Sequence, residues 1–392
     1  MTASPDDGSG SVGREGVQDT RPDIAATPGS AGGRRRRRGG RSGGGGGGDR
    51  SMVPEATFTS YYGRAIVKPS PWEADIPTYL FAGGVAAGSS LIAAGADLTG
   101  RPILRRSGRL AAIAALTVSM VALVHDLGRP ERFLNMLRVA KATSPMSVGT
   151  WILSSYGPFA GAVAATEVVS MLPSRLRVGP LRLARLVDRP AGLLAALLAP
   201  PVAAYTAVLL SDTATPSWHA AYRELPFVFV GSAAAASAGL GLVAAPVHET
   251  GPVRRLALGG AVLELVMEHR MERTMGITAE PLHQGTAGRL MRAAKVLTAA
   301  GGAASLFAGR SRTAAVVSGV ALLAGSACTR FGVFEAGQES AKDPKYTVVP
   351  QRERLERGEP VRFRERSGSP APSPTDPVTG DRSGDHRPAA DT

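Results

Sequence analysis

From about Ile76 to Phe331 the chain is a succession of Ala/Leu/Val/Gly runs, separated by short connectors rich in Arg, Pro and Gly. Several runs reach the ~20 residues that an α-helix needs to cross a bilayer. Hydrocarbon offers no water to satisfy open backbone groups, so such a chain is limited to helices packed in a bundle. The pattern predicts an all-α polytopic membrane protein, a bundle of about eight transmembrane helices with disordered polar tails.

The runs place spans at about Ile76–Leu98, Leu110–His125, Val148–Leu172, Ala191–Leu210, Pro226–Ala245, Arg255–Met271, Ala293–Ala308 and Thr313–Phe331. Glu264 and Glu268 interrupt the sixth, and with His269 they read equally as a wet helix end. Small residues recur at close spacing in Gly83–Gly88 and Ser232–Gly241, which lets helix backbones approach one another in lipid. Pro200 and Pro201 inside the fourth span are expected to kink it.

Composition follows the same division. Mean hydropathy is only +0.02, because polar ends offset the apolar middle. Residues 1–60 are rich in Arg and Gly and residues 347–392 in polar residues and Pro, the composition of disordered tails. The bundle is expected over 61–346. No apolar stretch follows Asp6 and Asp7, so the first span is expected to direct insertion itself.

A net charge of +13 would suit nucleic-acid binding, but arginines between apolar spans are what membrane orientation and anionic lipid require. The expected partner is the lipid bilayer, with no nucleic acid. Arg101, Arg105, Arg106 and Arg109 in the first connection, and Arg175 to Arg189 in the third, favour a cytoplasmic side for odd connections. Arg129, Arg132, Arg138 and Lys141 in the second run against that rule. The single cysteine, Cys328, excludes a disulfide framework and a protein-bound Fe–S cluster.

The densest run of charged and turn-forming residues is HDLGRPERFLNMLR, His125 to Arg138, followed by SPMSVGTW, Ser144 to Trp151. With Trp72, the YLFAGGVAAG segment from Tyr79 to Gly88, and TPSWHAAYRELPFVF from Thr215 to Phe229, these motifs resemble the NrfD/polysulfide reductase membrane-subunit family. The resemblance covers roughly Tyr61 to Tyr346 and leaves out the long tails. It implies about eight helices and a multi-pass place in the cell membrane. It also implies a quinone, expected to be menaquinone, bound within the bundle. The implied partners are a ferredoxin-like Fe–S subunit and a molybdopterin catalytic subunit, with no haem or Fe–S group in this chain.

A quinone site needs groups that hydrogen-bond two carbonyl oxygens and exchange protons beside an apolar slot. Alternating spans bring Asp75, Tyr79, His125, Asp126, Asp212 and His219 to one membrane surface. Tyr205 lies two turns below Asp212, and the resemblance implies a fourth-helix tyrosine at the quinone. Asp75 also reads as a helix cap, and Tyr79 and Trp218 as interfacial aromatics. Glu167 and Glu264, ionisable groups inside spans, are candidates for a proton path. Arg129, Glu131, Arg132 and Arg138 are candidates for docking the Fe–S partner, with a tight turn at Asp126–Arg129.

Two other functions fit parts of the pattern. Buried acids and kinked spans suit a secondary transporter, though no paired broken helices recur. A haem anchor needs histidines facing each other inside the bundle, whereas His125, His219, His248 and His269 sit at helix ends.

Overall fold

The computed structural model describes residues 65–129, 131, 133–138, 140–173 and 181–358. The Arg/Gly-rich tail read at 1–60 lies outside these residues. In chain order the helices are α1 (Asp75–Leu98), α2 (Pro102–Asp126), a short α3 (Phe133–Leu137), α4 (Pro145–Met171) and α5 (Leu181–Ser211). A short α6 (Pro216–Ala220) precedes α7 (Leu225–Ala244), α8 (Gly251–Thr274), α9 (Gly285–Ser305), α10 (Arg312–Lys342) and α11 (Lys345–Glu356). No strand occurs among the described residues. The protein is an all-α polytopic membrane protein.

The helices of 20 residues or more fall where the apolar runs predict spans. Five are long and apolar enough to cross a membrane: α1, α2, the Leu186–Ser211 part of α5, α7 and α10. The chain positions of α8 and α9 carry Glu264, Glu268 and Lys295, and α4 carries many Gly and Ser, which lowers their hydropathy. Apolar side chains also point outward at mid-helix: Val121 is 64% and Leu197 71% exposed. Such a surface is expected where lipid tails replace water.

Helix starts differ from the apolar runs in one direction. α2 begins at Pro102, α5 at Leu181 and α9 at Gly285, each about two or three turns earlier than hydropathy suggests. Hydropathy marks the apolar stretch, and the extra turns carry charges, of which Arg105, Arg106, Arg109, Asp188 and Arg189 have partners of their own. The sixth span is not a wet end. α8 runs unbroken to Thr274, and Glu264 and Glu268 are both 1% exposed. The polar tail expected from 347 begins as helix. Lys345 holds the start of α11 to Glu280 (2.7 Å), and Arg357 pairs with Glu353 one turn away. Residues 359–392 lie outside the described residues.

Small residues permit the close packing. A Cβ on Gly88 of α1 would lie 2.1 Å from Ser237 Oγ of α7, and one on Gly319 of α10 would lie 2.4 Å from the Gly239 carbonyl oxygen of α7. Each helix reverses the last, so the bundle has two ends. One end gathers the starts of α1, α4, α7 and α9 and the ends of α2, α5, α8 and α10; it is called the cavity face below. The other is the arginine face.

Candidate functional site

α1, α2, α4 and α5 enclose a cavity of about 490 Å³ near the cavity face. That volume is within the range of small-molecule sites, roughly 300–1,000 Å³. Its walls are mainly apolar, including Ile76, Leu116, Met120, Leu153 and Leu209. Besides Thr150 and Ser154 of α4, polar groups enter at two places. Tyr79 of α1 and Tyr205 of α5 meet hydroxyl to hydroxyl, and both rings line the cavity. Asp126, the last residue of α2, also lines it.

The approach of α4 to α5 depends on Gly149. A Cβ there would lie 2.6 Å from Cδ2 and Cε2 of the Tyr205 ring, so only glycine lets the ring take its place. Tyr79 is 3% exposed, and its carbonyl oxygen accepts from Ser119 Oγ of α2 at 3.1 Å. The tyrosine pair is therefore held by α2 and α4 besides its own bond.

The motif after α2 closes the cavity. Gly128 turns the chain with a φ of +64°, conformations open to glycine, which matches the tight turn expected at Asp126–Arg129. The following FLNML forms α3, and Phe133 and Met136 join the lining. Arg129, Glu131 and Arg138 are exposed around this turn. Arg132 lies outside the described residues.

The structure brings together some of the expected site residues and separates others. Tyr79, Asp126 and Tyr205 line one cavity. Asp75 and His125 do not line it. They clasp the start of α1 to the end of α2 through Asp75 Oδ2 and His125 Nδ1, 2.7 Å apart, with the imidazole 78% exposed. Asp212 and His219 are exposed and outside the lining. The His219 ring pairs with the Ser211 carbonyl oxygen at 3.0 Å, which closes the end of α5.

In the Pro216–Ser217–Trp218 element it is the tryptophan that turns inward. Trp218 is 1% exposed, donates Nε1–H to the Val333 carbonyl oxygen (2.8 Å), and stacks on Trp72 of the cavity lining at 5.9 Å between centroids. Gln338 of α10 donates to the carbonyl oxygens of Ser70 and Trp72, each at 3.0 Å, fixing the segment that delivers Trp72. The sequence does not single out Gln338, and it reads the FLNML of α3 only within a charged motif, not as a cavity wall. A lone glutamine in a helix carries no signal of its own, but the apolar FLNML inside a charged loop does.

The two acids read as proton-path candidates lie far apart. Glu167 is at the arginine face, 1% exposed, between Arg106 Nε (3.1 Å), Arg109 Nη1 (3.1 Å) and Arg105 Nε (3.4 Å). Arg109 also makes a two-point bond to Asp188 at 2.9 and 3.0 Å. Glu264 is in the interior, accepting from Thr329 Oγ1 at 2.6 Å and Thr298 Oγ1 at 3.4 Å. Among the described residues no three His, Cys, Asp or Glu side chains gather as a metal site.

Fold and site together define a multi-pass membrane protein with an apolar cavity, bordered by a tyrosine pair and one carboxyl group, near one end of its bundle. Residues 65–252 match the family model described as Polysulphide reductase, NrfD. The match bears out the resemblance carried by the motifs over this stretch, just under half of the chain. It contains every residue that lines the cavity. No curated protein matches the chain.

Proposed function

We propose that the chain is the quinone-interacting membrane subunit of a multi-subunit molybdopterin oxidoreductase, set in the cell membrane and exchanging electrons with a ferredoxin-like Fe–S subunit. The tyrosine pair in the wall of an apolar cavity carries this reading. A quinone supplies two-electron, two-proton chemistry at a pair of carbonyl oxygens. The cavity fits such a group, because its walls are apolar and its polar atoms are few and convergent.

In this reading the Tyr79 and Tyr205 hydroxyls present an O–H donor toward the cavity and hold a carbonyl oxygen in register. Asp126 stands at the mouth, where a carboxyl group can pass protons between the cavity and water. The Asp75–His125 clasp positions Asp126 by fixing the end of α2 against α1. Asp212 and His219 shape the neighbouring loop. Menaquinone is the quinone we expect.

The exposed Arg129, Glu131 and Arg138 surround α3, which itself lines the cavity; Arg132 is the fourth docking candidate. An Fe–S subunit docked on them would stand directly over the mouth. Proton handling falls to Glu264, the acid held in the interior by hydroxyl groups. Glu167, bound by three arginines, is read as a tie between α4 and α2.

Purification of the tagged chain in mild detergent, with mass spectrometry and quinone extraction on one sample, tests the reading. Recovery of an Fe–S protein, a molybdopterin subunit and menaquinone is the expected result. A chain that comes alone and without quinone overturns it and moves a transport function forward.

A further inference from the structure

Besides the cluster around Glu167 at the arginine face, buried charge gathers between α8, α9 and α10. Glu264, Glu268 and Glu272 stand four residues apart on α8 and so share one helical face. Glu264 and Glu268 are each 1% exposed. From Glu264 to the end of α8 at Thr274 is ~15 Å at 1.5 Å per residue, about half the thickness of a bilayer core. The file therefore leads from mid-membrane to the cavity face.

Each end has its own partner. At the inner end, Arg330 of α10 is 0% exposed, lies 3.6 Å over the Phe229 ring, and donates Nη2–H to the Phe229 carbonyl oxygen at 2.8 Å. Its Nε and Nη1 have no hydrogen-bond partner among the described residues. Arg330 and Glu264 are close enough to interact electrostatically. At the outer end, Lys295 of α9 donates to Glu272 Oε1 at 2.8 Å, and His283 Nε2 lies 3.9 Å from the same oxygen. Glu268 sits between the ends. Its Oε1 is 3.8 Å from Lys295 Nζ and has no hydrogen-bond partner among the described residues.

Three carboxyl groups face Arg330 and Lys295, so the file carries one more acid than it has permanent cations. Isolated charge in a membrane interior is costly, and an extra proton on the file removes it. Steps of about 6 Å between neighbouring carboxyl positions suit a bridging water.

We propose that Glu272, Glu268 and Glu264, with Lys295 beside them, form a proton relay from the cavity face to Glu264, beside Arg330 in the centre of the bundle. At each step an acid O–H proton passes to the next carboxylate, and the emptied acid is refilled from the outer side; no electron moves. This rests on the reading of Glu264 as a proton carrier and adds its route. The file lies beyond residue 252, outside the stretch that matches the NrfD model. The relay is thus built by the second half of the bundle, apart from the cavity.

Infrared difference spectroscopy of the full chain in lipid nanodiscs, perfused with D2O, tests the relay. The carboxylic-acid band that disappears in Glu264→Gln is assigned to Glu264. In wild type this band is expected to exchange quickly. In Glu268→Gln exchange should slow on the order of 10²-fold, and Glu268→Asp should restore it. If Glu268→Gln does not fold, Glu272→Gln at the wetter end should slow exchange as well. Wild-type exchange rates in the folded variants, or no acid band that depends on Glu264, overturn the relay.

Menaquinone titration of the same wild-type sample separates the two proposals. Slowed exchange in Glu268→Gln without quinone binding to wild type keeps the relay and removes the quinone reading. Quinone binding with unaltered exchange does the reverse.

Discussion

The hydroxyls of Tyr79 and Tyr205 bond to each other across the wall of the cavity, joining α1 to α5 from positions 126 residues apart in the chain. Because the two groups share one bond, removing either hydroxyl frees the other. Tyr79→Phe and Tyr205→Phe should each weaken menaquinone binding by about tenfold, equivalent to one hydrogen bond of ~1.4 kcal/mol. The double variant should lose less than the sum, which a double-mutant cycle on titrated affinities would show. Additive losses would mean that the hydroxyls act separately.

Gly149 makes a second expectation. A methyl group there enters the Tyr205 ring, so Gly149→Ala should cost about 1–3 kcal/mol through overpacking and displace the ring into the cavity. Thermal unfolding in detergent reads the first effect and quinone titration the second. A variant as stable as wild type, with full binding, would show that α4 yields to make room.

The arginine face can be tested without any ligand. Glu167→Ala leaves Arg105, Arg106 and Arg109 with only Asp97, beside Arg105, and Asp188, beside Arg109, as acidic partners. Breaking a buried pair costs about 3–5 kcal/mol, and much of that should appear as a lower unfolding temperature in detergent. Glu167→Gln keeps the shape and some hydrogen bonds and should fall between. No loss in either variant would place the arginines' partners elsewhere, in lipid phosphate.

The attachment of α11 should depend on pH. The bond from Lys345 holds the Glu280 carboxyl below the usual glutamate range, and the same bond raises Lys345 to about 12. A depressed acid stabilises the folded form above its unfolded pKa and loses that contribution as pH falls through the folded value. A raised lysine stabilises below its unfolded pKa and loses it as pH rises through about 12. Hydrogen exchange in α11 should be steady across neutral pH and increase in acid, below the ordinary glutamate range. Glu280→Gln should remove the acid dependence.

Much of this architecture was legible because lipid demands long apolar helices: five runs are plainly of that kind, and α4, α8 and α9 follow from the weaker runs between them. Helix ends were less so. Arg105, Arg106 and Arg109 read as loop charges until Glu167, 58 residues from Arg109, proves to pair with them. At the site, Tyr79, Tyr205 and Asp126 come together as alternation of spans suggests. Alternation fixes only which end of the bundle a residue occupies, so Asp212 and His219 share the face but not the cavity. The relay acids showed the opposite limit. Charges lowered the hydropathy of α8, and only the packing of α9 and α10 shows that the charges point inward.

Photo-crosslinking with an azido-menaquinone, followed by peptide mapping, tests the central claim most directly. Quinone in the cavity should label α1 near Tyr79, α3 near Phe133 and α5 near Tyr205, and excess menaquinone should suppress the labelling. Labelling confined to the lipid-facing residues of other helices, or unaffected by competitor, would contradict a quinone site between the two tyrosines.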